Sequence, residues 1–277
     1  MTGTLFVVGT PIGNLGDFSP RAVEVLTQCD FIAAEDTRVT LKLLNHFGIK
    51  KPMISYFEHN RAQRGDIILE KLLNGENCAL VSDAGMPIIS DPGEDLTTLC
   101  YEHGIKVCAV PGPCALTTAL AIAGMPAGRF TFEGFLTRAK PNRRAHLEEL
   151  VDEKRTMVFY EAPHKLAATL ADMAKYFGDR KIAIVKELTK IYESVDRTTL
   201  FEAAERYRDA NIKGEFVLII EGKPQEEEKQ PTLDDAVMIA RGLIESGASK
   251  NEAAKEAAKQ TGIKKSDIYK NLTETGD

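Results

Sequence analysis

The stretch VVGTPIGNLGD, residues 7–17, follows an apolar run near the start of the chain, and its glycines are the first residues whose types and spacing suggest chemistry. A glycine loop between a strand and a helix can cradle a phosphate, because its backbone amides point at the anion. Here the spacing is G-x-x-x-G-x-x-G, and Pro11 removes an amide where a pyrophosphate needs one. No Gly-Lys-Ser/Thr follows, which excludes a P-loop. Glu35 and Asp36 close the next apolar run at roughly the ~20-residue offset of a ribose-binding carboxylate, but the glycine spacing and Pro11 disfavour a nicotinamide enzyme. The loop is expected to reverse the chain tightly beside a ligand that is not a phosphate.

Two more stretches have the look of ligand rims. In VSDAGMPIISDPGED, residues 81–95, Gly85 and Pro87 and then Asp91, Pro92 and Gly93 stiffen the exit from a strand. In VPGPCALTT, residues 110–118, Pro111, Gly112 and Pro113 lead into a helix of small residues that would let a ligand approach the backbone. Open α/β sheets bind their ligands at such strand exits. The five histidines and five cysteines show neither metal-ligand spacing nor a C-x-x-C pair, so no metal is expected and the thiols read as small buried hydrophobes.

These rims need a frame to hold them, and alternating strand and helix patterns through residue 222 give the class as α/β. A mostly parallel N-terminal domain is expected over residues 1–112. A second α/β domain with a mixed sheet is expected over 113–222, because KIAIVKEL and YESVDRTTL are adjacent strands joined by a short turn. Residues 223–231, rich in acids with Pro224 and Pro231, read as a linker. Residues 232–277 read as three helices in a helix-turn-helix-like arrangement, with a capping box at Ser249 and Glu252 and with Lys264, Lys265, Tyr269 and Lys270 on the last element.

Composition narrows the classes further. A net charge of −6 argues against bulk electrostatic coating of nucleic acid but allows a local basic groove. No apolar run approaches the ~18 residues of a membrane span, and the N-terminus lacks a secretory pattern, so a cytoplasmic protein without membrane partners is expected.

The motifs VVGTPIGNLGDFSPRAVEVL, AAEDTR, LVSDAGMPIISDPG and VPGPCALTTALAIAGMP, in that order, resemble the tetrapyrrole-methylase superfamily, in the branch that methylates small-subunit ribosomal RNA. The resemblance spans residues 5 to about 222, and the helical tail is similar to the appendage of that branch. It implies two α/β domains holding S-adenosylmethionine between them, a homodimer, and 2′-O-methylation of a cytidine in 16S rRNA of the small ribosomal subunit. A tetrapyrrole or diphthine methyltransferase of the same superfamily is the alternative, and a non-catalytic nucleic-acid binder a more distant one.

Carried over position by position, the resemblance implies cofactor contacts at Gly85, Met86 and Pro87, with Ile89 and Ser90 in the following turn. Met86 stands where the wider family has an acid. Pro11, Asp83, Cys114, Ala115, Tyr160 and Glu161 complete the expected cofactor set. Ribose methylation also requires a base for a weakly nucleophilic hydroxyl, and the candidates are Glu35, Asp36, Lys186 and Glu187. RNA is expected on Arg138, Lys140, Arg143 and Arg144 around a proline turn, with Arg38, His59, Asn60, Arg61 and Arg64 at the cleft mouth.

Overall fold

The computed structural model describes residues 1–224 and 231–274. They fall into two compact units, Met1–Lys223 and Pro224–Asp277. The expected linker at 223–231 lies largely outside the described residues.

The first half of the larger unit alternates β1 (Thr4–Val8), α1 (Pro20–Gln28), β2 (Phe31–Ala34), α2 (Thr37–His46), β3 (Met53–Ser55), α3 (Arg61–Leu73), β4 (Cys78–Val81), α4 (Glu94–Glu102) and β5 (Lys106–Val110). All its strands run parallel, in the order β3-β2-β4-β1-β5. Every residue of β2 and β4 is buried, as a parallel sheet covered on both faces requires. Alternation divides them: Phe31, Ala33, Cys78 and Leu80 pack with Ile68, Leu72 and Leu96 from α3 and α4, while Ile32, Ala34, Ala79 and Val81 pack with Ala22, Leu26 and Leu44 from α1 and α2. Ser19 caps α1 by accepting from the Ala22 amide, with Pro20 at the first helical position. Such a cap contributes about 1 kcal/mol.

The second half comprises α5 (Ala115–Ile122), β6 (Phe130–Phe135), α6 (Lys140–Glu149), β7 (Thr156–Glu161), α7 (Leu166–Phe177), β8 (Lys181–Lys186), β9 (Ser194–Thr199), α8 (Leu200–Tyr207) and β10 (Phe216–Ile220). Its sheet is mixed, ordered β6-β7-β10-β8-β9, with only the β6–β7 pair parallel. One face packs Ile182, Ile184 and Leu218 against Leu166, Leu170 and Met173 of α7 and Leu200 of α8; the other packs Ala183, Val185 and Val217 against Leu116, Ala119 and Leu120 of α5. The tail unit is α9 (Leu233–Glu245), α10 (Lys250–Thr261) and α11 (Lys265–Glu274) around an alanine-rich core, with the Ser249–Glu252 capping box formed and Gly262 in the left-handed conformation between the last two helices.

The expected α/β architecture, one parallel sheet followed by one mixed sheet, is present. The segment around Lys140 differs from expectation. Pro141 lies in the first turn of α6, where proline is favoured, so the chain is helical from Lys140 and makes no free turn there.

Candidate active site

The loops leaving β1, β4 and β5 meet at the carboxyl edge of the parallel sheet. The Gly9 amide donates to the Val110 carbonyl at 3.1 Å. Thr10 and Gly85 exchange both backbone hydrogen bonds, at 2.9 and 3.1 Å, and the Thr10 hydroxyl donates to the Ser82 carbonyl. These bonds fuse the glycine loop to the second rim. A Cβ on Gly9 would sit 2.6 Å from Met86 Sδ and 2.8 Å from Gly112 Cα, so close backbone approach, not phosphate binding, explains this glycine. Gly85 is required for another reason, its φ of 90°.

A cavity of about 540 Å³ lies between this edge and the second sheet. Ile12, Gly85 and Met86 wall one side, Cys114 and Ala115 open α5 beneath, and Tyr160, Glu161 and Val217 come from the mixed sheet. Tyr160 locks this corner: its hydroxyl accepts from the Leu116 amide at 2.9 Å, satisfying a helix-end donor that would otherwise lack a partner. Phe132 and Phe135 meet the Tyr160 ring edge-on, at 4.9 and 5.6 Å. Glu161 is almost fully buried and accepts from the Thr169 hydroxyl at 2.5 Å and from the Ala162 amide at 2.8 Å.

Carboxylates gather where β2 and β4 end. Glu35 accepts from the Asp83 amide at 3.2 Å, and Asp83 accepts from the Asp36 amide at 3.1 Å. Burial raises the Glu35 and Asp83 carboxyls above their ordinary range. Asp91 lines the cavity itself, and burial, reinforced by the charges of Glu35 and Asp83, pushes it up to about 6. Asp36 goes the other way. It caps α2 and is held by the Arg38 side chain, which lowers it to about 2.

The geometry sorts the expected residues. Gly85, Met86, Ile89, Ser90, Cys114, Ala115, Tyr160 and Glu161 all line the cavity. Pro87 is buried and does not line the cavity, and Pro11 and Asp83 line a second groove. Among the base candidates, Lys186 follows Val185 on β8 and shares the face of Ile182 and Ile184, away from the cavity. Glu187 is bound by Lys190 Nζ and by the Glu215 amide, both at 3.0 Å, and Lys190 holds its carboxyl below the ordinary range. Asp36 is tied to Arg38, and Glu35 accepts from the Asp83 amide; neither lines the cavity.

The basic set divides too. Arg143 is mostly buried, bonded to Asp172 at 2.7 Å and Thr169 at 3.0 Å, and Asn60 spends its side chain on the Phe57 amide and the Ser55 carbonyl, so both side chains are engaged within the fold. Arg144 pairs with Glu148, Arg61 with Asp95, and Arg38 with Asp36, all at the surface. Lys140, His59 and Arg64 are exposed. Arg138 reaches His164, a cavity residue, at 3.2 Å. Sequence reasoning missed Asp91, Ile12, Phe135, His164 and Glu215. Asp91 stood in a quoted motif and was within reach, whereas Phe135 and Glu215 carry no local signal.

Residues 4–204 match the family model for Tetrapyrrole (Corrin/Porphyrin) Methylases, and the chain belongs to that family. Within it the chain is 47% identical over 270 residues to a ribosomal RNA small subunit methyltransferase I of Halalkalibacterium halodurans, covering 96% of this chain and 93% of that protein. A Thermotoga maritima protein of the same name is 47% identical over 221 residues, covering 80% of this chain and 99% of that one. Among solved structures, a uroporphyrin-III C-methyltransferase from Thermus thermophilus complexed with S-adenosylhomocysteine superposes with a TM-score of 0.54 at 16% identity, covering 79% of this chain and 97% of that one. That likeness concerns the fold.

Proposed function

We propose that this chain transfers a methyl group from S-adenosylmethionine to the 2′-oxygen of a cytidine in 16S rRNA of the small ribosomal subunit, acting in the cytoplasm as a homodimer. The near-full-length identity to small-subunit rRNA methyltransferases carries the substrate class. The cavity suits the cofactor. Its volume falls in the ~300–1,000 Å³ range of small-molecule sites. Tyr160 and Phe135 offer aromatic surface to a purine, the amide end of α5 suits a carboxylate, and the acids Glu161 and Glu215 suit hydroxyls and positive charge.

When bound, the sulfonium supplies an activated methyl group. The protein orients the ribose hydroxyl and takes its proton. Asp91 is the carboxylate placed for this task, since it faces the cavity and its raised pKa keeps it basic enough to draw the proton at neutral pH. Glu35 and Asp83 sustain that basicity through their charges.

The test is methyl transfer from radiolabelled S-adenosylmethionine to small subunits and to naked 16S rRNA from cells lacking this protein, followed by mapping of the product. Label on one cytidine ribose supports the reading. Cofactor binding without label on either RNA overturns it, and would shift the acceptor to a small molecule such as a tetrapyrrole.

A further inference from the structure

The cavity that Asp91 lines is acidic. Glu161 and Glu215 share its wall, and among the described residues the only basic side chain there is that of His164. An RNA strand entering such a cavity brings a phosphate charge with every nucleotide toward those carboxylates, so it needs a cation at the mouth. Arg138 is placed to be that cation. Its Nη2 donates to His164 Nε2 at 3.2 Å, and because a guanidinium has no acceptor the imidazole nitrogen must be the one that accepts.

Arg138 differs from the other arginines considered. Arg38, Arg61, Arg143 and Arg144 each meet a carboxylate, whereas none of the described carboxylates pairs with Arg138. Arg64 lies on α3, which contributes nothing to the cavity wall. The exposed Arg138 guanidinium uses one of its five N–H groups on His164, and the others are open to an outside acceptor.

Both partners stand on braced backbone. His164 sits in the turn between β7 and α7, closed by the Lys165 amide donating to the Ala162 carbonyl at 3.0 Å. The buried Glu161 carboxylate ties that turn down through the Ala162 amide and the Thr169 hydroxyl, and Thr169 in turn accepts from Arg143 on α6. On the other side, buried Leu136 pins the loop leaving β6, and the Thr137 hydroxyl accepts from the Ala139 amide. Phe135 lines the cavity and is also exposed, so this loop forms part of its mouth.

We propose that Arg138 binds a backbone phosphate of the acceptor RNA at the mouth of the cofactor cavity, and that His164 is the positioning residue that aims it. A phosphate held there tethers the strand at the same cavity that Asp91 lines, so the adjoining ribose meets the carboxylate with no wall between them. The contact is blind to the base. The assignment rests on the RNA-methylation reading above and adds which side chain takes hold of the substrate.

Arg138→Gln should raise KM for small ribosomal subunits about tenfold, the loss of one charge-assisted contact. Cofactor affinity by calorimetry and the thermal midpoint should stay at wild-type values. The slope of log KM against log salt should become shallower by about 0.7, the share of one single-strand phosphate, which a merely structural role would not change. Arg138→Lys, which keeps the charge, should keep the wild-type slope. His164→Leu should raise KM less than Arg138→Gln does, and combining the two should raise it no further. Unchanged KM or an unaltered salt slope in Arg138→Gln, beside an active wild type, overturns the phosphate contact alone, and additive effects in the double variant overturn the role of His164. A fall in cofactor affinity matching the rise in KM also overturns the contact, by assigning Arg138 to the cofactor's carboxylate. If the wild type methylates neither subunits nor 16S rRNA, the RNA reading itself falls.

Discussion

Asp91 occupies a cavity wall and is pushed up to about 6 for an identifiable reason, burial beside two further carboxylates. Replacing it with Asn should lower kcat by about 100-fold or more with little change in cofactor affinity, the usual loss when a general base is removed. In the wild type, kcat/KM should climb through a pH of about 6 as the carboxyl loses its proton, and the residual activity of Asp91→Asn should lack that limb. Stability follows the opposite sense. A folded pKa above the ordinary value means that protonated Asp91 favours folding, a contribution present below pH ~4 and lost as pH rises through about 6. Urea unfolding at pH 8 should therefore find Asp91→Asn more stable than the wild type, with the difference vanishing near pH 4. Arg143 and Arg144 provide a contrast in neighbouring positions. Arg143→Met strands Asp172 and Thr169 and should cost about 1–3 kcal/mol in the same assay, whereas Arg144→Ala should remain within about 0.5 kcal/mol of wild type.

Elements were the legible level of this sequence. Most strands are short apolar runs, and glycines such as Gly48, Gly75 and Gly178 mark where helices stop, so order and type could be read from local pattern. Facing could not. Whether Pro11 and Ile12, or Asp83 and Ala84, look into the same pocket depends on the Thr10–Gly85 bridge, which joins residues far apart in the chain. The facing of Lys186 was illegible for a related reason: strand parity, fixed by pairing with β10 and β9, turns it away from the cavity. The closeness of β1 and β5 at their ends gives a prediction at this scale. A Cβ at Gly112 would lie 2.8 Å from the Gly9 carbonyl oxygen, and both partners are backbone with little room to yield. Gly112→Ala should cost about 1–3 kcal/mol of stability and weaken cofactor binding by displacing Cys114 and Ala115, measurable by calorimetry.

At the scale of the whole molecule, the α/β unit and the helical tail each possess their own hydrophobic core. The Thermotoga maritima relative is matched almost end to end by 221 residues, about the length of the α/β unit. Residues 1–223 alone should therefore fold cooperatively and bind S-adenosylmethionine with wild-type affinity, and any loss confined to methylation of RNA would assign the tail to the substrate.

The five thiols offer a way to watch that binding. Cys29, Cys78 and Cys100 are sealed in the parallel-sheet domain and pushed up by burial, whereas Cys108 and Cys114 are partly open and Cys114 forms part of the cavity wall. Cys114 is thus an alkylation target on the wall of the proposed cofactor cavity. Iodoacetamide should modify Cys114 in the native protein at a rate that falls as S-adenosylmethionine is added, while Cys108 continues to react at its own pace as an internal clock. Intact-mass spectra across a ligand titration would then give fractional occupancy without radiolabel, RNA or turnover.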